Sequence, residues 1–151
     1  MVTKLPGEDI EIILSQFANQ PIGDVYDIAV KQEKRGNSGL ALKIYEYVAD
    51  RFGVLPSDTV YERSIGAIIY TTIGKLYFLK DDYQKAEFSL ESACKLGVTP
   101  LETFYWKGEL FYAKGNVDNA MPLFKYVAEN STEIWLISNS LKRLNETNNI
   151  N

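Results

Sequence analysis

Histidine is absent from this sequence of 151 residues. The absence excludes histidine triads, histidine proton shuttles and histidine-ligated zinc or haem. Cys94 is the single cysteine, so it has no second cysteine for a disulfide or a metal knuckle, and it favours a reducing compartment. No apolar run approaches the roughly 18 residues of a membrane-spanning helix. We therefore expect a soluble, cytoplasmic protein with no membrane partner.

Basic residues are fewer than acidic ones, with 16 Lys and Arg against 20 Asp and Glu and a formal charge of −4. No global positive field exists to attract nucleic acid or an anionic membrane, so we predict no nucleic-acid partner. The densest basic cluster, 31–35, already contains Glu33. Hydrophobic residues make up 46% of the chain, an ordinary globular composition, and the length predicts a single domain, 1–151.

Residues that could support catalysis are also few. Paired acidic residues exist, but each of the following pairs lies at an expected turn or helix end, where solvated carboxylates are the simpler explanation: Glu8 with Asp9, Asp81 with Asp82, and Glu129 with Glu133. Cys94 has no histidine to activate it, and it follows Ala93 on an expected helix seam, which favours an inert thiol. Neither a glycine-rich phosphate loop nor a metal-ligand spacing is present. We predict no enzymatic activity, no metal and no cofactor.

Two segments of the chain match each other at a shift of 34 residues. The first carries Tyr70, Ile73, Gly74, Tyr77, Ala86, Leu90 and Ala93, and the second carries Phe104, Lys107, Gly108, Phe111, Ala120, Phe124 and Val127. The apolar and small residues in each set recur at helical spacing, which predicts two helices that pack along a seam of small residues. Turns are expected at 80–82 and 114–116, where helix-breaking residues occur.

A third, weaker copy lies upstream at a shift of 45 residues, with an expected turn at 36–38. Its matching positions are Val25, Ile28, Ala29, Gln32, Ala41, Tyr45 and Val48. The extra length is close to three helical turns, so lengthening the helix over 58–79 absorbs it without rotating the apolar face. Ser57 or Asp58 is the expected N-cap. Because Gly66 weakens this segment, it could instead form two helices.

Both ends of the chain predict additional helices. The segment 9–18 places Ile10, Ile13, Leu14 and Phe17 at helical spacing, and Pro21 closes it. Near the other end, Asn130 or Ser131 would cap a helix whose apolar face carries Ile134, Ile137, Leu141 and Leu144. This helix is expected to cover the last repeat. The residues 145–151 show no apolar pattern and are expected to form a frayed tail.

The repeated motifs resemble those of the tetratricopeptide repeat (TPR) family, whose unit is a 34-residue helix-turn-helix. The residues that carry the resemblance are Tyr70-x-x-Ile73-Gly74-x-x-Tyr77, Phe104-x-x-Lys107-Gly108-x-x-Phe111 and Ala120-x-x-x-Phe124. The resemblance implies an all-α fold, a short right-handed superhelix with an N-terminal helix and a C-terminal capping helix. Its repeats would span 22–55, 67–100 and 101–134. Asp81 departs from the family pattern, in which glycine is common, as does Pro122 in the last repeat.

The resemblance also implies a concave groove, lined by the first helix of each repeat, that binds peptides or partner helices. Mapping that face selects sixteen positions, of which eight are the candidate binding residues: Tyr26, Val30, Lys75, Phe78, Tyr105, Trp106, Glu109 and Tyr112. The other eight are Asp27, Glu33, Lys34, Ile68, Thr71, Thr72, Leu79 and Glu102. The family's clamp for acidic tails places a lysine and an asparagine where this chain has Tyr26 and Val30. The charges along the mapped face sum to −2. An apolar or mildly basic segment is therefore the expected ligand.

Tyr105, Trp106 and Tyr112 make one expected helix apolar nearly all round, which leaves two interpretations open. Either the rings form a partner-binding hot spot, or another surface covers them, with Trp135 of the C-terminal helix a candidate. The expected function is non-catalytic protein binding, as an adaptor or a small secretion-type chaperone. The alternative is a self-associating protein that forms a homodimer through the aromatic groove or the N-terminal helix.

Overall fold

The computed structural model describes residues 6–53 and 59–148, with side chains from residue 10 onward. Over these residues the chain is all-helical, as the sequence predicts, and contains no strand. The eight helices are α1 (Pro6–Ser15), α2 (Ile22–Lys34), α3 (Ser38–Gly53), α4 (Val60–Leu79), α5 (Tyr83–Lys95), α6 (Leu101–Ala113), α7 (Val117–Asn130) and α8 (Ile134–Asn148). The chain divides into two compact units, Met1–Ser57 and Asp58–Asn151. The predicted domain and repeat ranges stay predictions.

In the first unit, α2 and α3 pack as a pair and α1 lies against α3. Helix α1 ends at Ser15, earlier than predicted, yet Phe17 is buried as its apolar pattern indicates. The ring of Phe17 lies 6.2 Å from that of Tyr47, and the Arg51 guanidinium donates to the Phe17 carbonyl at 3.1 Å. Pro21 does not close α1, because α1 ends six residues earlier at Ser15, and Pro21 is instead the N-cap of α2.

The turns within the three successive helix pairs share one geometry, and each lies where the sequence predicts a turn. One residue in each turn has a positive φ, namely Gly36 at 83°, Asp81 at 61° and Gly115 at 80°. The following amide then donates to the carbonyl five residues back, in the bonds Asn37 to Gln32, Asp82 to Tyr77 and Asn116 to Phe111. Such bonds satisfy carbonyls at the end of the first helix and reverse the chain within a few residues.

Helix α4 is a single unbroken helix of 20 residues, which decides between the one-helix and two-helix interpretations. Its N-cap is Thr59, so the expectation of Ser57 or Asp58, which lie outside the described residues, is wrong. The Thr59 hydroxyl accepts from the Glu62 amide at 3.1 Å, and the Glu62 carboxylate accepts from the Thr59 amide at 3.4 Å. This reciprocal capping box fixes the start of the helix at Thr59. Gly66 lies buried within the helix and does not interrupt it.

Small residues allow the helices of the second unit to pack closely in pairs, as their spacing predicts. A Cβ atom placed on Gly74 would lie 2.7 Å from Leu90 Cγ, and one placed on Gly108 would lie 2.9 Å from Phe124 Cε1. Ala86 and Ala120, on the facing helices, are both fully buried. Side chains larger than these would separate α4 from α5 and α6 from α7. Pro122 is exposed inside α7, beyond the first turn.

Helix α8 packs on a face that differs from the predicted one. Ile134 is 82% exposed and Leu141 is 46% exposed, whereas Leu136 and Ser140 are buried. The predicted apolar face is therefore wrong at Ile134 and Leu141, whereas Ile137 and Leu144 are half-buried. The face that meets α6 and α7 includes Leu136, Ser140, Arg143 and Thr147, which follow each other at spacings of four, three and four residues. The helix continues to Asn148, so 145–148 are helical rather than frayed, and 149–151 lie outside the described residues.

Candidate functional site

Helices α4, α6 and α8 lie side by side within the second unit, as first helices of successive pairs do in a helical-repeat fold. A buried pair of hydroxyls joins α4 to α6, with the Oγ1 atoms of Thr71 and Thr103 at 2.6 Å. The Thr71 hydroxyl also donates to the Ala67 carbonyl at 2.7 Å, so the Thr103 hydroxyl is the donor between the two threonines. This contact sets the register of α4 against α6, and with it the surface that the two helices share.

A row of four aromatic rings crosses this surface from α4 through α6 to α8, and we call it the aromatic row. Its members are Phe78, Trp106, Tyr105 and Trp135, with successive ring centroids 5.7, 5.0 and 5.5 Å apart. Aromatic pairs at such separations in tilted or edge-to-face arrangements are favourable beyond the area that they bury. The structure thus brings together Phe78, Tyr105 and Trp106 of the predicted site, and Trp135 reaches Tyr105, as the second interpretation of the aromatic cluster expects.

A buried acidic residue, Glu109, fastens α8 to α6 beside the aromatic row. Its carboxylate accepts hydrogen bonds from the Arg143 guanidinium at 2.8 and 3.1 Å and from the Tyr105 hydroxyl at 2.8 Å. Arg143 also lies 4.4 Å from the ring centroid of Tyr112 and donates to Glu146 at 3.1 Å. We call these five residues the Arg143 network. Hydrogen bonding to Glu109 raises the pKa of Arg143, and burial together with the Glu109 carboxylate raises the pKa of Tyr105.

The Arg143 network corrects part of the predicted groove. Tyr105 is 6% exposed and Glu109 is 5% exposed, because α8 covers both. Both side chains are packed between α6 and α8 and do not line an open groove. This agrees with the second interpretation of the aromatic cluster, in which another surface covers the rings. Tyr112 is half-buried beneath Arg143, while Trp106 keeps part of its indole at the surface. Partner contact by Trp106 and Tyr112 stays a prediction.

The remaining predicted site residues lie on other helices. Lys75 and Phe78 are half-buried on α4. Tyr26 and Val30 are half-buried on α2 in the first unit, where the ring of Tyr26 packs edge-on against Tyr45 at 5.7 Å. Their part in partner binding also stays a prediction.

A cleft of about 380 Å³ opens between α4, the start of α6 and the segment that joins α7 to α8. Its lining consists of Ile68, Pro100, Leu101, Glu102, Asn130, Ser131, Thr132 and Glu133, and we call it the Glu102–Glu133 cleft. Ile68 and Glu102 belong to the face that the sequence mapped. The sequence does not select residues 130–133 as site residues, because they lie at the end of the last predicted repeat, away from its first helix, and only the packing of α8 brings them against α6.

Two tryptophans hold the carboxylates of this cleft. The indole Nε1–H of Trp106 donates to Glu102 at 3.2 Å, and that of Trp135 donates to Glu133 at 2.8 Å. Glu102 lies in the first turn of α6 and Glu133 lies directly before α8. Negative side chains are favoured at both places because of the partial positive charge at a helix N-terminus. The cleft thus combines an apolar part with two oriented carboxylates.

Neither a metal-binding cluster nor a membrane-spanning helix occurs in the described part of the chain. Across 10–53 and 59–148, where the structure describes side chains, no three histidine, cysteine or acidic side chains come together in a way that could hold a metal ion. Across 6–53 and 59–148, no helix is long and apolar enough to cross a membrane. Cys94 is half-buried, with the Lys107 ammonium 3.9 Å from its sulfur.

Among solved structures, the chain is similar to the type III secretion translocator chaperone SycD of Yersinia enterocolitica. The TM-score is 0.61 and the sequence identity 13%, over 89% of this chain and 92% of that chain. The chain therefore has a TPR-like helical fold. No family model matches the sequence, and no curated protein matches it either. The likeness thus concerns the arrangement of the helices, which the sequence motifs predict independently.

Proposed function

We propose that this chain is a non-catalytic, cytoplasmic TPR chaperone that holds a segment of another protein. The observation that carries the proposal is the structural likeness to SycD over nine tenths of both chains, since SycD is itself described as a translocator chaperone. The resemblance of the helix pairs to TPR motifs supports the same conclusion. The lone cysteine, half-buried and unpaired, fits a reducing cytoplasm.

The binding surface in this proposal is the shared face of α4, α6 and α8. This face offers an accessible aliphatic side chain at Ile68, 45% exposed, and the partly exposed indole of Trp106. Tryptophan contributes strongly to protein interfaces because its large ring buries much apolar area at little cost in side-chain entropy. The charged groups at the nearby cleft are acidic, so an apolar or mildly basic segment fits this face better than an acidic one.

The test uses two substitutions of exposed apolar residues. Ile68→Asp alters the proposed binding face, whereas Phe88→Asp alters α5, which contributes no residue to the cleft. Both side chains are exposed, so both variants are expected to fold, and circular dichroism checks this. Tagged wild type and both variants are used to capture proteins from lysate of the source cells, and the bound proteins are identified by mass spectrometry.

We expect a protein that wild type and Phe88→Asp retain and Ile68→Asp loses. Equal retention by all three proteins would place binding elsewhere, and no specific capture would remove support for a chaperone. A homodimer is the second candidate function, favoured by the exposure of Ile134 and Leu141 on α8. Light scattering of the purified chain separates the two, because a homodimer shows twice the monomer mass without any captured protein.

A further inference from the structure

The lining of the Glu102–Glu133 cleft has an apolar part, a neutral polar part and an acidic part. Ile68, Pro100 and Leu101 supply apolar surface, while Glu102 and Glu133 supply carboxylates from two different elements, α6 and the segment before α8. Its volume of about 380 Å³ lies near the lower end of the range of ligand-binding clefts. An occupant that complements both the apolar and the acidic part carries an aliphatic portion and a positive charge.

The tryptophan hydrogen bonds leave the charge of the cleft in place. An indole N–H is a neutral donor, so it orients a carboxylate but does not neutralise it. The chain contains two tryptophans in all, Trp106 and Trp135, and each donates to one of the two cleft carboxylates. Each carboxylate has further acceptor positions for a second donor. The cleft is therefore oriented in advance for a cationic group.

Several other glutamates of the second unit pair with cations of the chain itself. Lys114 lies 2.9 Å from Glu87, Lys107 lies 3.1 Å from Glu91, and Arg143 lies 2.8 Å from Glu109. By contrast, no lysine or arginine lines the cleft, and among the described residues neither Glu102 nor Glu133 has an ion pair. The charge at the cleft is thus available for complementarity with a partner.

We propose that the Glu102–Glu133 cleft binds a lysine or arginine side chain of the protein segment that the chaperone holds. The aliphatic stem lies against Ile68 and Leu101, and the charged head reaches the two carboxylates, which is how such side chains divide between apolar and polar surroundings. This inference rests on the proposed function, since the basic residue belongs to the bound segment. It adds a specific anchor to an interface that is otherwise apolar.

The test selects ligands without knowledge of the natural partner. A library of random 12-residue peptides on phage is selected against wild type, the variant Glu102→Gln with Glu133→Gln, and the control Glu129→Gln. The control removes a carboxylate of α7 that does not line the cleft. We expect wild type and the control to enrich peptides with one recurrent lysine or arginine among apolar residues, and the double variant to lose this preference.

One enriched peptide is then synthesised with its basic residue intact and with norleucine in its place. We expect the replacement to weaken binding to wild type by about tenfold or more, and to have little effect on the double variant. The indole N–H signals of Trp106 and Trp135 in nuclear magnetic resonance spectra should move with the basic peptide. The cleft does not bind a basic side chain if the enriched peptides show no preference for lysine or arginine, or if the double variant keeps that preference. Either result would leave the proposed protein binding intact. Failure to enrich any peptide would count against the proposed function itself, and the inference would fall with it.

Discussion

The backbone of Asp81 adopts a left-handed conformation that glycine adopts more easily than aspartate. Its φ of 61° lies in the left-handed region, which L-residues with a Cβ atom adopt at a cost of about 1–2 kcal/mol. The equivalent positions in the other two turns are Gly36 and Gly115, also at positive φ. Aspartate tolerates this region better than most residues, because its short side chain can bond locally. Its carboxylate indeed accepts from the Tyr83 hydroxyl, at 3.4 Å.

We predict that Asp81→Gly stabilises the chain by about 0.5–1 kcal/mol, measured as the free energy of unfolding in urea. The gain is smaller than the full conformational cost because glycine also loses more freedom on folding. Asp81→Ala is the control, since it keeps the Cβ atom and loses the side-chain hydrogen bond, and it should destabilise the chain. Equal stability of the alanine and glycine variants would contradict the strained turn.

Single residues differ in how well the sequence predicts their roles. Gly74 and Gly108 were identified by their place in the repeat, because only a close helix crossing explains glycine at those positions, and the short distances to Leu90 and Phe124 agree. Glu109 was placed in an open groove, whereas it is buried against Arg143. A buried ion pair between residues 34 positions apart leaves no local periodic signal.

At the scale of helices, the packing of α6 against α7 depends on the absence of a side chain at Gly108. A Cβ atom there would lie 2.9 and 3.1 Å from two atoms of the Phe124 ring, and Phe124 is fully buried. The ring packs among the core residues Tyr105, Val127 and Leu136, so a shift of the ring would displace these side chains too. We predict that Gly108→Ala destabilises the chain by roughly 1–3 kcal/mol, although alanine favours helix formation in isolation. The measurement is urea unfolding followed by far-ultraviolet circular dichroism, which reports on the helices of both units, whereas both tryptophans lie in the second unit.

Gly23→Ala is the matched control for this prediction. Gly23 also lies in a helix, α2, but a Cβ atom there would meet nothing within 4 Å. Its replacement should leave stability unchanged or raise it by up to about 1 kcal/mol. If both variants behaved alike, the effect at Gly108 would reflect helix propensity, and the close crossing of α6 and α7 would not be the reason for this glycine.

The rotation of α8 is the element-scale feature that periodicity failed to predict. Ile134, Ile137, Leu141 and Leu144 form a regular apolar stripe, yet Ile134 and Leu141 face solvent. Contacts with other helices decide the rotation, since Arg143 reaches Glu109 and Leu136 enters the core around Phe124. Specific polar partners and tertiary packing override an apolar pattern that is only moderately strong. A one-helix pattern contains no information about these partners.

At the scale of the whole molecule, the sequence predicts the described helices and their order well, because the repeats present the same pattern of apolar and small residues more than once. The turns near Gly36, Asp81 and Gly115 occur where expected, and α4 keeps the length that the shift of 45 residues requires. The site was harder to predict. Its cleft requires residues 130–133 to meet α6, a juxtaposition that depends on where α8 packs. The face mapped from the sequence includes Ile68 and Glu102, whereas Glu133 joins the cleft only through the packing of α8.

Each of the two compact units contains a buried tyrosine that donates to a glutamate, and this makes the chain sensitive to alkaline pH. In the first unit the Tyr45 hydroxyl donates to Glu33 at 2.9 Å, and in the second the Tyr105 hydroxyl donates to Glu109 at 2.8 Å. Burial, followed by the hydrogen bond and charge of the glutamate, raises the pKa of both tyrosines. Above pH 10, the ordinary tyrosine pKa, the unfolded chain therefore releases protons that the folded chain retains.

Stability should consequently be fully present below about pH 9 and fall as the pH rises past 10, toward the higher pKa of the folded state. We predict that Tyr45→Phe and Tyr105→Phe each make this fall shallower, by at most about 1.4 kcal/mol per pH unit, in urea unfolding followed between pH 8 and pH 11. Tyr61→Phe is the control, because the Tyr61 side chain is 74% exposed and should leave the profile unchanged. An equally steep fall in the double variant Tyr45→Phe with Tyr105→Phe would show that the buried tyrosines are not its cause. The two single effects should add, since the tyrosines donate to different glutamates in different units.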